Sequence, residues 1–86
     1  MAIYVDSLMT TSKKFCGGYK ACHMATDGDL KELHDFACRI GMRRSWFQDH
    51  PRIPHYDLTA ARREEAIRLG AEAISGRDFV IKCVRV

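Results

Sequence analysis

The chain has no C-x-x-C pair, no H-E-x-x-H, no P-loop and no nucleophile elbow. Those absences remove the spacings that announce a zinc site, a nucleotide-hydrolysing loop or an acyl-transfer serine. No apolar run approaches the ~20 residues of a membrane span, so no membrane partner is expected. The opening M-A-I-Y-V-D has no basic segment followed by an apolar one, and the expected compartment is the cytoplasm. In that setting the four cysteines, at 16, 22, 38 and 83, read as thiols. Charge of one sign is not in excess. Fourteen Lys and Arg face eleven Asp and Glu, for a net charge of +3. That bias is too small for a duplex nucleic-acid binder, and no helix-turn-helix or zinc-finger pattern is present. Internal repeats and low-complexity tracts are absent too.

With 47% hydrophobic and 29% charged residues, 86 residues make one ordinary globular domain, 1–86. A chain this short buries a modest core, which is compatible with a homo-oligomer. Proline is scarce, and both prolines fall in one span, Arg43 to Leu58, R-R-S-W-F-Q-D-H-P-R-I-P-H-Y-D-L. The only Trp, two of the four His and three Arg lie there as well. Two prolines this close argue against a helix or a central strand. A long irregular connection in a small domain is often functional, so a site is expected here.

Alternation over Ala2–Asp6 predicts a strand with Ile3 and Val5 on one side and Tyr4 and Asp6 on the other. Ser7–Gly18, with its Gly17-Gly18 pair, reads as a loop, and Tyr19–Ala25 as a second strand. Asp29 with Glu32 resembles a capping box ahead of a helix whose Leu30, Leu33, Ala37 and Ile40 share a face, closed by Gly41. Thr59 is a good N-cap for a second helix, Ala60–Leu69, stopped by Gly70. Arg62, Ala66 and Leu69 fall on one side of it, which would turn Arg62 toward the Trp loop. Ala71–Ser75 reads as a short strand and Gly76-Arg77-Asp78 as a turn. Phe79–Val86, rich in β-branched residues and holding Cys83, gives the strongest strand signal. The sum is a compact α/β domain of about four short strands and two helices, with a long Trp-containing loop between the helices.

Several short stretches resemble, in order, a family of small bacterial and phage proteins that is a domain of unknown function. They are I-Y-V-D at the start, C-H-M at 22–24, E-L-H with A-x-R-I-G through Gly41, R-x-W-F-Q at 44–48, P-H-Y-D-L at 54–58 and A-I-R-L-G-A at 66–71. Departures fall in the Ser7–Gly18 loop and the C-terminal strand. The resemblance implies a cytosolic bacterial or phage protein and brings no activity with it.

Three chemistries suit the residues. Cys22-His23, His34 with Cys38, and His55-x-Asp57 are acceptable metal ligands, but they are scattered, so neither a stoichiometric metal nor another cofactor is expected. His34 reads better as a histidine flanking the core. A catalytic site would use His23, His55 and Asp57, with Cys22 a nucleophile if a neighbour lowered its pKa. A phosphate-binding site would use Arg43, Arg44 and Arg62, with Lys13 and Lys14, as donors. Trp46 and Tyr56 would supply stacking faces, Gln48, His55 and Asp57 hydrogen bonds, and Thr59–Arg62 a helix N-terminus. Phe47 reads as a plug in the core.

This last combination uses most of the unusual loop. The sequence therefore favours recognition, without catalysis, of a nucleotide or other phosphate-bearing small molecule, such as a sequestered signalling nucleotide. Second comes a small hydrolase or phosphodiesterase-like enzyme. A protein-interaction module anchored by Trp46 is third.

Overall fold

The computed structural model describes residues 2–10 and 20–85. Lys13, Lys14, Cys16 and the Gly17-Gly18 pair lie outside them. The elements run β1 (Ile3–Val5), β2 (Met9–Thr10), β3 (Lys20–Thr26), α1 (Leu30–Arg39), a 3₁₀ turn (Arg44–Trp46), β4 (Tyr56–Thr59), α2 (Ala60–Arg68), β5 (Glu72–Ala73) and α3 (Gly76–Cys83). The α/β class holds, with five strands and three α-helices among the described residues.

β3 is the spine of the sheet. Both β1 and β2 pair antiparallel along one of its edges, Val5 opposite Met24 and Met9 opposite Ala21. β4 pairs antiparallel along the other, from Ala21 opposite Thr59 to Met24 opposite Tyr56. β5 closes the far side, parallel to β1. Because successive side chains point to opposite faces, one face carries Val5, Cys22, Met24, Tyr56 and Leu58. These pack with Leu33, Phe36 and Ala37 of α1 and Ala66 of α2 into the main core. The other face carries Tyr4 and Ala25, covered by Phe79 and Cys83 of α3. His23 and Asp57 lie on this second face.

Local chemistry sets the helix ends as the sequence suggests. The Asp29 carboxylate accepts from the Lys31 N–H at 3.0 Å, and the Thr59 hydroxyl from the Arg62 N–H at 3.2 Å. α1 ends at Gly41, whose φ of 82° is the left-handed conformation that favours glycine.

The span expected as a loop from Ser7 contains a strand, Met9–Thr10, and two further expectations are corrected. Among the described residues, neither the strand expected over Phe79–Val86 nor the turn expected over Gly76-Arg77-Asp78 forms: Gly76–Cys83 is α3. Ser75 caps it, its hydroxyl accepting from the Asp78 N–H at 3.1 Å. Phe79 and Cys83, four apart, are both buried, while Val80 and Ile81 are 49% and 63% exposed. Helical spacing buries the large Phe79 ring against the open face of the sheet. The free edge of β1 is already taken by β5, so a strand here would lack that edge to pair with. The second correction concerns the Trp loop. It ends early, and Tyr56–Thr59 is an edge strand directly continuous with α2, two residues past Pro54.

Phe79→Ala should cost about 3–5 kcal/mol and Ile81→Ala no more than about 0.5 kcal/mol. Urea unfolding of the two variants measures this. A strand would bury both side chains on one face and give two large losses.

Candidate functional site

Strand alternation assembles the polar cluster. His55 and Asp57 are two apart at the start of β4 and share a face. His23 lies opposite Asp57 in the β3–β4 register, where facing side chains are in reach of each other. His23 Nε2 is 3.8 Å and His55 Nε2 3.5 Å from the same oxygen, Oδ1 of Asp57. The two imidazoles meet edge to face, with centroids 4.9 Å apart. Ligand-type atoms of the three residues all lie within 4.8 Å of one another.

The far nitrogen of each ring is fixed. His55 Nδ1 is 2.7 Å from the Ile53 carbonyl oxygen. A carbonyl only accepts, so Nδ1 carries the proton and Nε2 its lone pair. His23 Nδ1 is held by Asp6, which sits at the end of β1 and is 5% exposed. Its Oδ1 accepts the His23 backbone N–H at 2.7 Å and its Oδ2 meets Nδ1 at 2.8 Å. The Asp6 backbone closes the loop, its N–H donating to the His23 carbonyl at 3.2 Å while Arg63 Nε donates to its own carbonyl at 2.9 Å. The hydrogen bond to Asp6 raises the His23 pKa above the ordinary histidine value. Burial opposes the rise, and the charges of Asp6 and Asp57 add to it. Sequence reasoning missed Asp6. The only signal was a carboxylate on the same strand face as Tyr4.

Asp57 also lines a groove of about 480 Å³ with Trp46, Gln48, Thr59 and Arg62. Gln48 is placed by reciprocal backbone hydrogen bonds with His55, at 2.8 and 3.1 Å. Arg62 turns inward as expected and donates to the Ile40 carbonyl at 2.6 Å. Gly41 makes room for it, since a Cβ there would stand 2.9 Å from the guanidinium. The Arg62 guanidinium, at the groove wall, lies 5.7 Å from the Trp46 ring centroid, and that of Arg43, outside the lining residues, lies 5.9 Å from the same ring. On the other side of the cluster, His23 and His55 open onto a second hollow of about 340 Å³, lined by Ile53, Phe79 and Val80.

Other candidates lie elsewhere. Tyr56 is fully buried, against Phe47 and His34, and offers no stacking face. Phe47 packs on the main core, as a plug would. Arg44 lies over the Phe47 ring at 5.0 Å, away from the groove lining. Cys22 points into the core, and burial pushes its thiol up to about 12, the reverse of an activated nucleophile. His34 hydrogen-bonds the Tyr56 hydroxyl at 2.9 Å, and Cys38 is exposed. Those two join no metal-ligand cluster among the described residues.

The family described as "Protein of unknown function (DUF4031)" matches residues 3–85. The chain belongs to the DUF4031 family. The DUF4031 match takes in the whole site, from Asp6 to Arg62. Neither a curated protein nor a solved structure matches the chain.

His34 supplies a pH test outside the cluster. Burial, and then the charge of Arg44, lower its pKa below the ordinary 6.5. The unfolded chain therefore binds this proton at a higher pH than the fold does. Its contribution to stability is complete above about 6.5 and is lost as pH falls through the folded value. Imidazole NMR titration should place the His34 midpoint below 6.5, and His34→Gln should reduce the loss of stability on acidification. A midpoint at or above 6.5 would contradict the assignment.

Proposed function

We propose that this protein is a small hydrolase acting on a phosphate-bearing small molecule, held in the Trp46–Arg62 groove with its ester at the His23–His55–Asp57 cluster. The observation that carries this reading is the double position of Asp57. One carboxylate lines the groove and faces both Nε2 atoms. A molecule lying in the groove thus meets Asp57, the member of the cluster that lines it, while His23 and His55 line the hollow on the other side.

Each part has a task. Arg62 and Arg43, beside Trp46, attract an anion, and the exposed part of the Trp46 ring gives it a flat surface. Asp57, the member of the cluster in the groove, orients a water and takes up its proton. The water oxygen adds to phosphorus, the ester P–O bond breaks with its electron pair on the leaving oxygen, and that oxygen receives a proton. Recognition without chemistry stands second, because it drew on Arg44 and Tyr56 as well, and these lie away from the groove.

Purified protein incubated with nucleotides and nitrophenyl phosphate esters should release product in a reaction lost in Asp57→Ala. Arg62→Ala should raise KM roughly 10- to 150-fold, the worth of a charge-assisted hydrogen bond. Nucleotide bound tightly and recovered intact would replace hydrolysis with recognition alone.

A further inference from the structure

We infer that His23 Nε2, His55 Nε2 and a carboxylate oxygen of Asp57 hold one divalent transition-metal ion. Sequence spacing argues against a bound metal, because the three ligands come from two strands in a pattern that matches no linear zinc motif. The fold joins them.

Four observations point to the ion. First, the separations suit a shared ligand better than direct hydrogen bonds. Two atoms each bonded at about 2.0–2.2 Å and subtending a tetrahedral angle lie about 3.3–3.6 Å apart. Here the His55 nitrogen stands 3.5 Å from Asp57 Oδ1, inside that range, and the His23 nitrogen 3.8 Å, just beyond it, with the ligand atoms of all three residues within 4.8 Å of one another. A nitrogen-to-oxygen hydrogen bond is ordinarily 2.7–3.2 Å. Second, both rings have the outer partners that metal-bound histidines have, a carboxylate on one Nδ1 and a backbone carbonyl on the other. Those partners leave each Nε2 with its lone pair toward the shared point.

Third, the remaining histidines lack that arrangement. His50 Nδ1 accepts from the backbone N–H groups of Arg52 and Ile53 at 3.1 and 3.2 Å, which places the neutral ring's proton on Nε2. His34 is tied to Tyr56. Fourth, the charge is right. Asp6 and Asp57 both face the cluster, and their ion-pair partners among the described residues are His23 and His55.

Two imidazoles and one carboxylate favour zinc, iron(II), cobalt or manganese over magnesium or calcium, which prefer all-oxygen sites. Three protein ligands leave at least one position open. The site lies between the groove, which Asp57 lines, and the hollow, which His23 and His55 line. If the hydrolase reading holds, a water there would be the activated one, since such an ion lowers the pKa of bound water to about 7.

The test is equilibrium binding with the full chain, stripped by a chelator and titrated with Zn²⁺ and with Co²⁺. One ion per chain is expected, lost in His55→Ala and in Asp57→Ala and kept in His50→Ala and His34→Ala. Asp6→Asn should keep the stoichiometry and weaken binding about 10- to 100-fold through the freed His23 ring. Should the ligand variants fail to fold, wild-type protein still decides. One equivalent of Zn²⁺ should shift the His23 and His55 imidazole resonances and leave His34 in place. No stoichiometric uptake, or equal affinity in folded Asp57→Ala, overturns the site. Turnover plays no part in these readouts, so an intact metal site with no phosphoesterase activity would remove only the hydrolase reading.

Discussion

The clamp between Asp6 and His23 is the contact on which the rest of the site depends. A carboxylate at the end of β1 takes both the backbone N–H and the ring Nδ1 of a residue on β3, seventeen positions away. One such bond to a charged group is worth about 1.5–3 kcal/mol, and here the carboxylate partner is buried. It stands where the β1–β3 ladder ends, so it holds the strand pairing and the imidazole at once. Arg63 on α2 steadies the same residue by donating to its carbonyl. The helix layer on one face of the sheet thereby supports the polar cluster on the other.

That division of faces organises the molecule. β3 and β4 send Cys22, Met24, Tyr56 and Leu58 into the main core, and His23 and Asp57 to the opposite side. A one-residue slip of register would exchange the two sets and bury the cluster. Neighbours in sequence therefore have opposite fates: the Cys22 thiol is desolvated and inert, while His23 is polar, partnered and open to a hollow. The end of α1 adds a second constraint. Gly41 lets Arg62 reach the Ile40 carbonyl, and that contact holds the guanidinium at the groove wall beside Trp46.

How far the sequence can be read follows from the range of each interaction. α1 and α2 were legible because their caps and apolar spacing are local, and β1 and β3 because they alternate or run apolar. α3 was not. Its β-branched residues suggested a strand, and only the Ser75 cap and the i, i+4 burial of Phe79 and Cys83 decide for a helix. Tyr56–Thr59 was hidden by the nearby prolines, which an edge strand tolerates just beyond its end. His23, His55 and Asp57 could be named together as residue types suited to acid–base work, but not the strand that puts His55 and Asp57 on one face. Asp6 could not, because its role arises from a pairing between distant residues. Tyr56 and Arg44 were placed with the ligand on residue type alone. Burial in the core and a contact with Phe47 put them elsewhere.

Both histidines turn a bare Nε2 toward one carboxylate. A long-range proton–nitrogen correlation spectrum of the metal-free protein, on the alkaline side of the His23 titration, reads this directly. The expected result is His23 and His55 both protonated on Nδ1 with unprotonated Nε2. Protons on Nε2 of either ring would mean that Asp6 or the Ile53 carbonyl does not set the tautomer, and would contradict the site as drawn.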